Sequence, residues 1–294
     1  MPSFLVRLFP LIPMIAVSGL IYLITFEGRE CTSWWILRLK KMTDNLKQVH
    51  PILLGLYLLV MLFGLLWLVL QVGKIWPDTI KGLYVFCTAN TAYVVISLWL
   101  DRIMSPLKYW FTVIKVVTSI AIGLSWLYFP EQIVYNLVGV MGAISFLYIF
   151  PALSFKHLLG LGVGMVVYDI VGVYVSGWII EFVRGLTFVP PAVIIVPMVI
   201  QAVSAQVSTT MSNTMIIGLG DIIIGGIFLS SAKLYNAEKA AFVGYCFGIL
   251  GALLLAILSN HSVPATMFII PAMLFAIWLS VRYQRSEAME NLLK

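Results

Sequence analysis

The sequence predicts an all-α polytopic membrane protein. Hydrophobic residues make up 62% of the 294 residues and charged residues only 10%, with mean hydropathy +1.04. The apolar residues also fall in runs long enough for helices that cross a bilayer, which takes about 20 residues each. No soluble domain of this length carries so little polar surface. No stretch is both polar enough and long enough to form a separate soluble domain. The net charge of +6 does not point to nucleic acid, because the basic residues sit mostly in short connections, where membrane proteins keep them for orientation.

Nine spans are expected, at roughly residues 4–25, 51–73, 80–100, 109–129, 132–153, 156–182, 213–232, 238–259 and 263–282. The first has Arg7 ahead of most of its length and faintly resembles a signal peptide. It is long enough to span and no small-residue cleavage site follows, so it reads as a transmembrane helix. Residues 30–48 mix Trp34, Trp35, Ile36 and Leu39 with Arg38, Lys40, Lys41 and Lys47, a pattern that suits a helix lying in the interface. Only a Pro130-Glu131 turn separates the fourth and fifth spans. Residues 1–153 then form a five-helix scaffold and residues 154–294 a four-helix part that carries the chemistry, within one membrane domain.

Residues 183–212 break the pattern. Pro190, Pro191 and Pro197 make a poor straight helix, and the small, polar QAVSAQVSTTMSNT follows. Irregular backbone is tolerated at membrane depth only where protein or water satisfies it. The segment is therefore a candidate entrance, lid or docking strand, with a long surface loop as the plain alternative.

With nine spans, one side of the membrane receives Arg7, Lys74, Lys81 and Arg184, and the other receives most of the remaining basic residues, Lys156 among them. The richer side is expected to be cytoplasmic, which puts the N-terminus outside and the C-terminus inside. Cys31, Cys87 and Cys246 match neither a zinc site nor a disulfide framework. His50, His157 and His261 lie far apart near span ends. No metal or other cofactor is expected.

Two acids sit deep in apolar surroundings: Asp169 in GVGMVVYDIVGVYVSGWII and Asp221 in MIIGLGDIIIGGIFL. A carboxylate near mid-bilayer costs at least about 2.5 kcal/mol on insertion scales, so each is a functional candidate. The two lie on consecutive antiparallel spans, which can bring them to similar depth. Paired in a low dielectric, they would hold one proton over a wide pH range. One could then take a proton from water while the other donates to a carbonyl oxygen, the arrangement for peptide hydrolysis without a covalent intermediate. Gly218 and Gly220 precede Asp221 and leave room for a substrate backbone, or simply serve helix packing. Tyr168 could hydrogen-bond near the acids or fill space.

Val167-Tyr168-Asp169, followed by Gly218-Leu219-Gly220-Asp221, resembles the YD and GLGD pair of the presenilin and signal peptide peptidase family of intramembrane aspartyl proteases. GLGDIIIGGIFL is similar to that family's seventh helix, and the chain looks like an archaeal, single-chain member. The family's third motif is Pro-Ala-Leu at the start of the ninth helix. Pro151-Ala152-Leu153 has those letters but precedes the first aspartate, and Pro271-Ala272-Met273 lies deep in the last span. Pro264-Ala265-Thr266 opens the last span and is chosen, with Thr266 departing from the family's leucine.

The resemblance implies that Asp169 and Asp221 are catalytic, with Tyr168, Gly218, Leu219 and Gly220 as active-site support. It also implies that the Pro264-Ala265-Thr266 loop shapes the site and helps hold an unwound substrate. Implied partners are the bilayer and transmembrane or signal-peptide substrates, with an N-in orientation favoured by the charge argument. Unwound substrate backbone needs hydrogen-bond partners, and residues 201–212 and the Pro264 loop are the candidate edges for strand addition. Two other readings compete: a proton- or cation-coupled transporter using the two acids, and a prepilin-type GxGD peptidase. No internal repeat supports the first, and the span count, the YD and the late Pro-Ala fit the second less well.

Overall fold

The structure is a computed structural model and describes residues 34–75, 77–103, 110–128, 132–176, 193–197, 214–259 and 263–293. The first expected span and residues 201–212 lie outside the described residues. The elements in chain order are α1 (Trp34–Asp44), α2 (Pro51–Ile75), α3 (Pro77–Ile103), α4 (Trp110–Tyr128), α5 (Gln132–Ile149), α6 (Phe155–Asp169), β1 (Val193–Pro197), β2 (Thr214–Gly218), α7 (Leu219–Ala232), α8 (Glu238–Ser259) and α9 (Thr266–Leu293). Five of the described helices, α2, α3, α6, α8 and α9, are long and apolar enough to cross a membrane, and α4 and α5 hold shorter apolar stretches. The chain is an all-α polytopic membrane protein, to which β1 and β2 add one short antiparallel ribbon.

By packing, the chain divides into two compact units interleaved along the sequence: 1–42, 68–149 and 185–223 in the first, and 43–67, 150–184 and 224–294 in the second. In the first, α1 buries Ile36 against Val94 and Tyr148, and the Lys40 ammonium lies 5.0 Å from the centre of the Tyr148 ring. Within the expected 30–48 a helix forms over Trp34–Asp44, and it is anchored to protein. α3 packs on α4 where Gly123 meets Ala89, and on α5 where Ser145 Oγ donates to the Thr91 carbonyl at 2.7 Å. β1 runs beside α5 and pairs with β2 in the register Val193↔Gly218 to Pro197↔Thr214.

The ribbon corrects one expectation. A helix was expected from residue 213, but the chain is extended through Gly218 and turns helical at Leu219. The paired strands VIIVP and TMIIG are rich in β-branched residues. Pairing satisfies the backbone groups of both strands, as apolar surroundings would require. Pro197 at the ribbon's end tolerates its missing N–H.

In the second unit α8 and α9 touch nearly backbone to backbone. A Cβ built on Gly248 would lie 2.4 Å from Ile269 Cα, and one on Gly244 2.7 Å from the Ala272 carbonyl oxygen. Small residues permit such approach, which is how helices gain packing energy in lipid. α6 seats Gly162 against Ile270 of α9 and Phe228 of α7. The turn before α6 is pinned by two donors: Leu153 N–H to Ser231 Oγ at 2.8 Å and Phe155 N–H to the Tyr235 hydroxyl at 2.8 Å. His157 ties the start of α6 to the start of α2, its Nε2 lying 2.8 Å from the Val49 carbonyl and its Nδ1 2.6 Å from Ser154 Oγ. Nε2 must donate to the carbonyl, so in the neutral ring Nδ1 accepts from the serine hydroxyl. Pro51 opens α2 at a position where a missing N–H costs nothing, and the His50 carbonyl accepts the first helical bond, from Leu54 at 2.9 Å.

Candidate active site

Asp169 is the last residue of α6. The chain continues as a π-helical turn over Ile170–Val175, closed by Ser176 N–H and Oγ, both donating to the Val171 carbonyl at 2.8 Å. Such wide turns inside helices concentrate at functional sites, because they redirect side chains without ending the helix. The sixth span is therefore not one regular helix, as expected, but changes its winding immediately after the acid.

Thr266 Oγ1 donates a hydrogen bond to Asp169 Oδ2. The threonine is 2% exposed and is the first residue of α9. Its position is set by Ala265, whose carbonyl accepts from Phe268 N–H at 3.0 Å and Ile269 N–H at 2.9 Å and so starts the helix. Pro264 precedes in non-helical backbone, where its fixed φ suits a chain about to turn. All three residues chosen from the sequence thus lie at the start of α9, and one of them touches the first aspartate. Tyr168 packs its ring on Phe63 of α2, centroids 5.0 Å apart and planes at 53°, a tilted aromatic pair. Phe63 was not singled out from the sequence, where it is one apolar residue among many.

The GLGD residues lie in the first unit, at the junction of β2 and α7. Gly218 is the last residue of β2, and Asp221 stands in the first turn of α7. The carboxylate folds back over the strand end: a Cβ on Gly218 would lie 3.2 Å from Asp221 Oδ2. Leu219 packs against α5, with its Cδ2 3.2 Å from where a Gly142 Cβ would sit. Gly220 is exposed and, among the described residues, has nothing within 4 Å of a Cβ. So one glycine makes room for the acid, the leucine anchors the junction, and the other glycine meets no described residue.

Pro151-Ala152-Leu153, set aside in the sequence, caps the approach to α6. Leu153 is fully buried and is held by Ser231. Among the described residues no group of His, Cys, Asp and Glu could hold a metal ion, and Cys87 and Cys246 are free thiols.

Residues 39–292 match the signal peptide peptidase family, peptidase family A22B. No individual curated protein matches the chain. The family match covers the α2–α9 helices and the ribbon, including YD, GLGD and the Pro-Ala-Thr start of α9. The chain belongs to the signal peptide peptidase family of intramembrane aspartyl proteases and is an integral, multi-pass membrane protein.

Proposed function

We propose that the protein is an intramembrane aspartyl endopeptidase that cleaves transmembrane segments or signal peptides with water activated between Asp169 and Asp221. The observation that carries this reading is the hydrogen bond from Thr266 to Asp169 Oδ2. It joins the residue opening the ninth helix to an acid of the YD motif, as expected if both belong to one reacting site. Pairing Asp169 with Asp221 rests on the motifs and on the family, whose peptidase activity the match supports.

A hydroxyl donating to Asp169 Oδ2 favours the ionised carboxylate, and on that ground we assign Asp169 as the base that takes a proton from water and Asp221 as the acid that donates to the substrate carbonyl. Attack gives a tetrahedral gem-diol. The proton Asp169 took then goes to the leaving amine while Asp221 takes one back from a gem-diol hydroxyl, and the C–N bond breaks to give the carboxylic acid and the free amine. Gly218 lets the Asp221 carboxylate lie against the strand end, and among the described residues nothing crowds Gly220. The β1–β2 ribbon leads directly into Asp221, so an unwound substrate adding to its edge would be delivered beside the acid. The charge distribution supports a cytoplasmic C-terminus and substrates with their N-termini in the cytoplasm.

The test is cleavage of a transmembrane peptide by purified protein in detergent, with Asp169→Asn and Asp221→Asn alongside. Each single change is expected to abolish cleavage, and the wild type to show a bell-shaped pH profile belonging to the pair. Cleavage that survives both changes removes the aspartates as catalysts. If the wild type cleaves nothing, ion flux in liposomes becomes the deciding assay for the transporter reading.

A further inference from the structure

An open cavity of about 660 Å³ lies within the second unit, between α2 and α6. Its floor is backbone. A Cβ on Gly160 would lie 2.1 Å from the Pro51 carbonyl oxygen, one on Gly55 2.3 Å from that of Gly160, and one on Gly164 2.7 Å from that of Gly55. With the helices in backbone contact, flanking apolar side chains stand up as walls, Leu56 on one side and Val163 on the other. Both are more than half exposed, at 54% and 57%. The volume lies in the usual range for small-molecule sites, about 300–1,000 Å³.

The two ends of this groove differ. At one end stand His50 and Lys156, both exposed. Neither takes part in a salt bridge among the described residues. His157 does not compete for a ligand there, because it is engaged with Val49 and Ser154. That clip fixes the two helix starts and so preforms the mouth. At the other end the lining stops at Val167, and just beyond it Phe63 packs on Tyr168 and bridges the two helices.

The helical rise from Lys156 to Val167 is about 16 Å. That is about half of the roughly 30 Å hydrocarbon core, the depth of one leaflet. A peptide helix crossing the membrane needs the full thickness and would meet the Phe63–Tyr168 bridge. A lipid chain needs one leaflet, and its phosphate then lies level with the cation.

We propose that this groove binds a phospholipid with an anionic headgroup, its phosphate held by Lys156 and His50 and one acyl chain lying along the glycine floor. The assignment does not depend on the proteolytic reading, and its test does not use activity. The purified protein is titrated with dioleoyl-phosphatidylglycerol, with dioleoyl-phosphatidylcholine and with inorganic phosphate, and binding is followed by native mass spectrometry and thermal shift in detergent. The wild type is expected to bind phosphatidylglycerol saturably and more tightly than phosphatidylcholine. Lys156→Gln is expected to weaken phosphatidylglycerol about fivefold and leave phosphatidylcholine unchanged. Val163→Trp, which fills the groove from an exposed wall, is expected to lose both lipids while keeping the wild-type melting temperature without lipid. Unchanged phosphatidylglycerol binding in either variant overturns the assignment. Inorganic phosphate alone reproducing the shift makes this a free-anion site and also overturns it. So does a dimer mass in place of a lipid adduct, or displacement of the lipid by a membrane-spanning peptide one for one.

Discussion

Thr266 Oγ1 donates to Asp169 Oδ2, so the first residue of α9 is tied to the last residue of α6 through an ionisable group. The family's leucine could not make this bond. In the proposed reaction the threonine would position the base. Losing a hydrogen bond to a charged group costs about 1.5–3 kcal/mol, which in a transition state amounts to roughly ten- to a hundredfold in rate. Thr266→Val and Thr266→Leu should lower kcat for a transmembrane peptide by that factor, whereas Thr266→Ser should keep most of it. A Thr266→Val enzyme with wild-type kcat would show that the bond contributes nothing to the reaction.

Gly218 and Gly220 are predicted to behave differently, although both belong to GLGD. A Cβ on Gly218 would press on Asp221 Oδ2 at 3.2 Å and push the carboxylate aside by a few tenths of an ångström. Small displacements of a reacting group are costly, and about tenfold in kcat is expected for Gly218→Ala. Among the described residues nothing lies within 4 Å of a Cβ on Gly220, so alanine there should fold normally. Any loss of activity in Gly220→Ala should then appear in KM, through substrate approach, and not in kcat. Steady-state kinetics of both variants, with melting temperatures, separates the two effects. Equal kcat losses would contradict this account.

How much of this was visible in the sequence varied with the physics. The apolar runs at 51–73, 238–259 and 263–282 were legible because a spanning helix needs an uninterrupted apolar stretch, and α2, α8 and α9 form over them. The choice of Pro264-Ala265-Thr266 over Pro271-Ala272-Met273 followed from where the last helix should begin, and α9 does begin at Thr266. The ribbon was missed because periodicity cannot separate a short continuous apolar run in a strand from one in a helix. VIIV and TMII, on either side of a small polar stretch, were the available signal. The π-turn after Asp169 left no mark, since IVGVYV suits either winding and tertiary contacts decide. The Thr266 hydrogen bond was also hidden, because a partner 97 residues away leaves no local trace.

Gly248 tests whether the seating of α9 matters to the site at its start. A Cβ there meets Ile269 Cα at 2.4 Å, and backbone on a packed helix cannot step aside cheaply. Overpacking of this kind costs about 1–3 kcal/mol. Gly248→Ala should therefore melt earlier and also lose activity, since Ile269 is one turn from Thr266. Gly64→Ala is the matched control, because among the described residues nothing lies within 4 Å of its Cβ. It should be neutral or slightly stabilising. Equal melting temperatures for the two variants would mean that α8 and α9 are not held this closely.

Ser231 uses both sides of its hydroxyl. It donates to the Ile227 carbonyl at 2.7 Å and accepts from Leu153 N–H at 2.8 Å, and both Ser231 and Leu153 are fully buried. Alanine at 231 would leave the Leu153 N–H unpaired, at a cost of about 1–3 kcal/mol. The turn that launches α6 would loosen, and Asp169 at the far end of that helix depends on where the helix begins. Ser231→Ala should lower the melting temperature and speed hydrogen exchange at the Leu153 amide. Ser231→Thr, which keeps the hydroxyl, should slow that exchange again even where its extra methyl costs some stability. Unchanged Leu153 exchange in Ser231→Ala would assign the start of α6 to other contacts, with the Phe155 amide on the Tyr235 hydroxyl the next to remove.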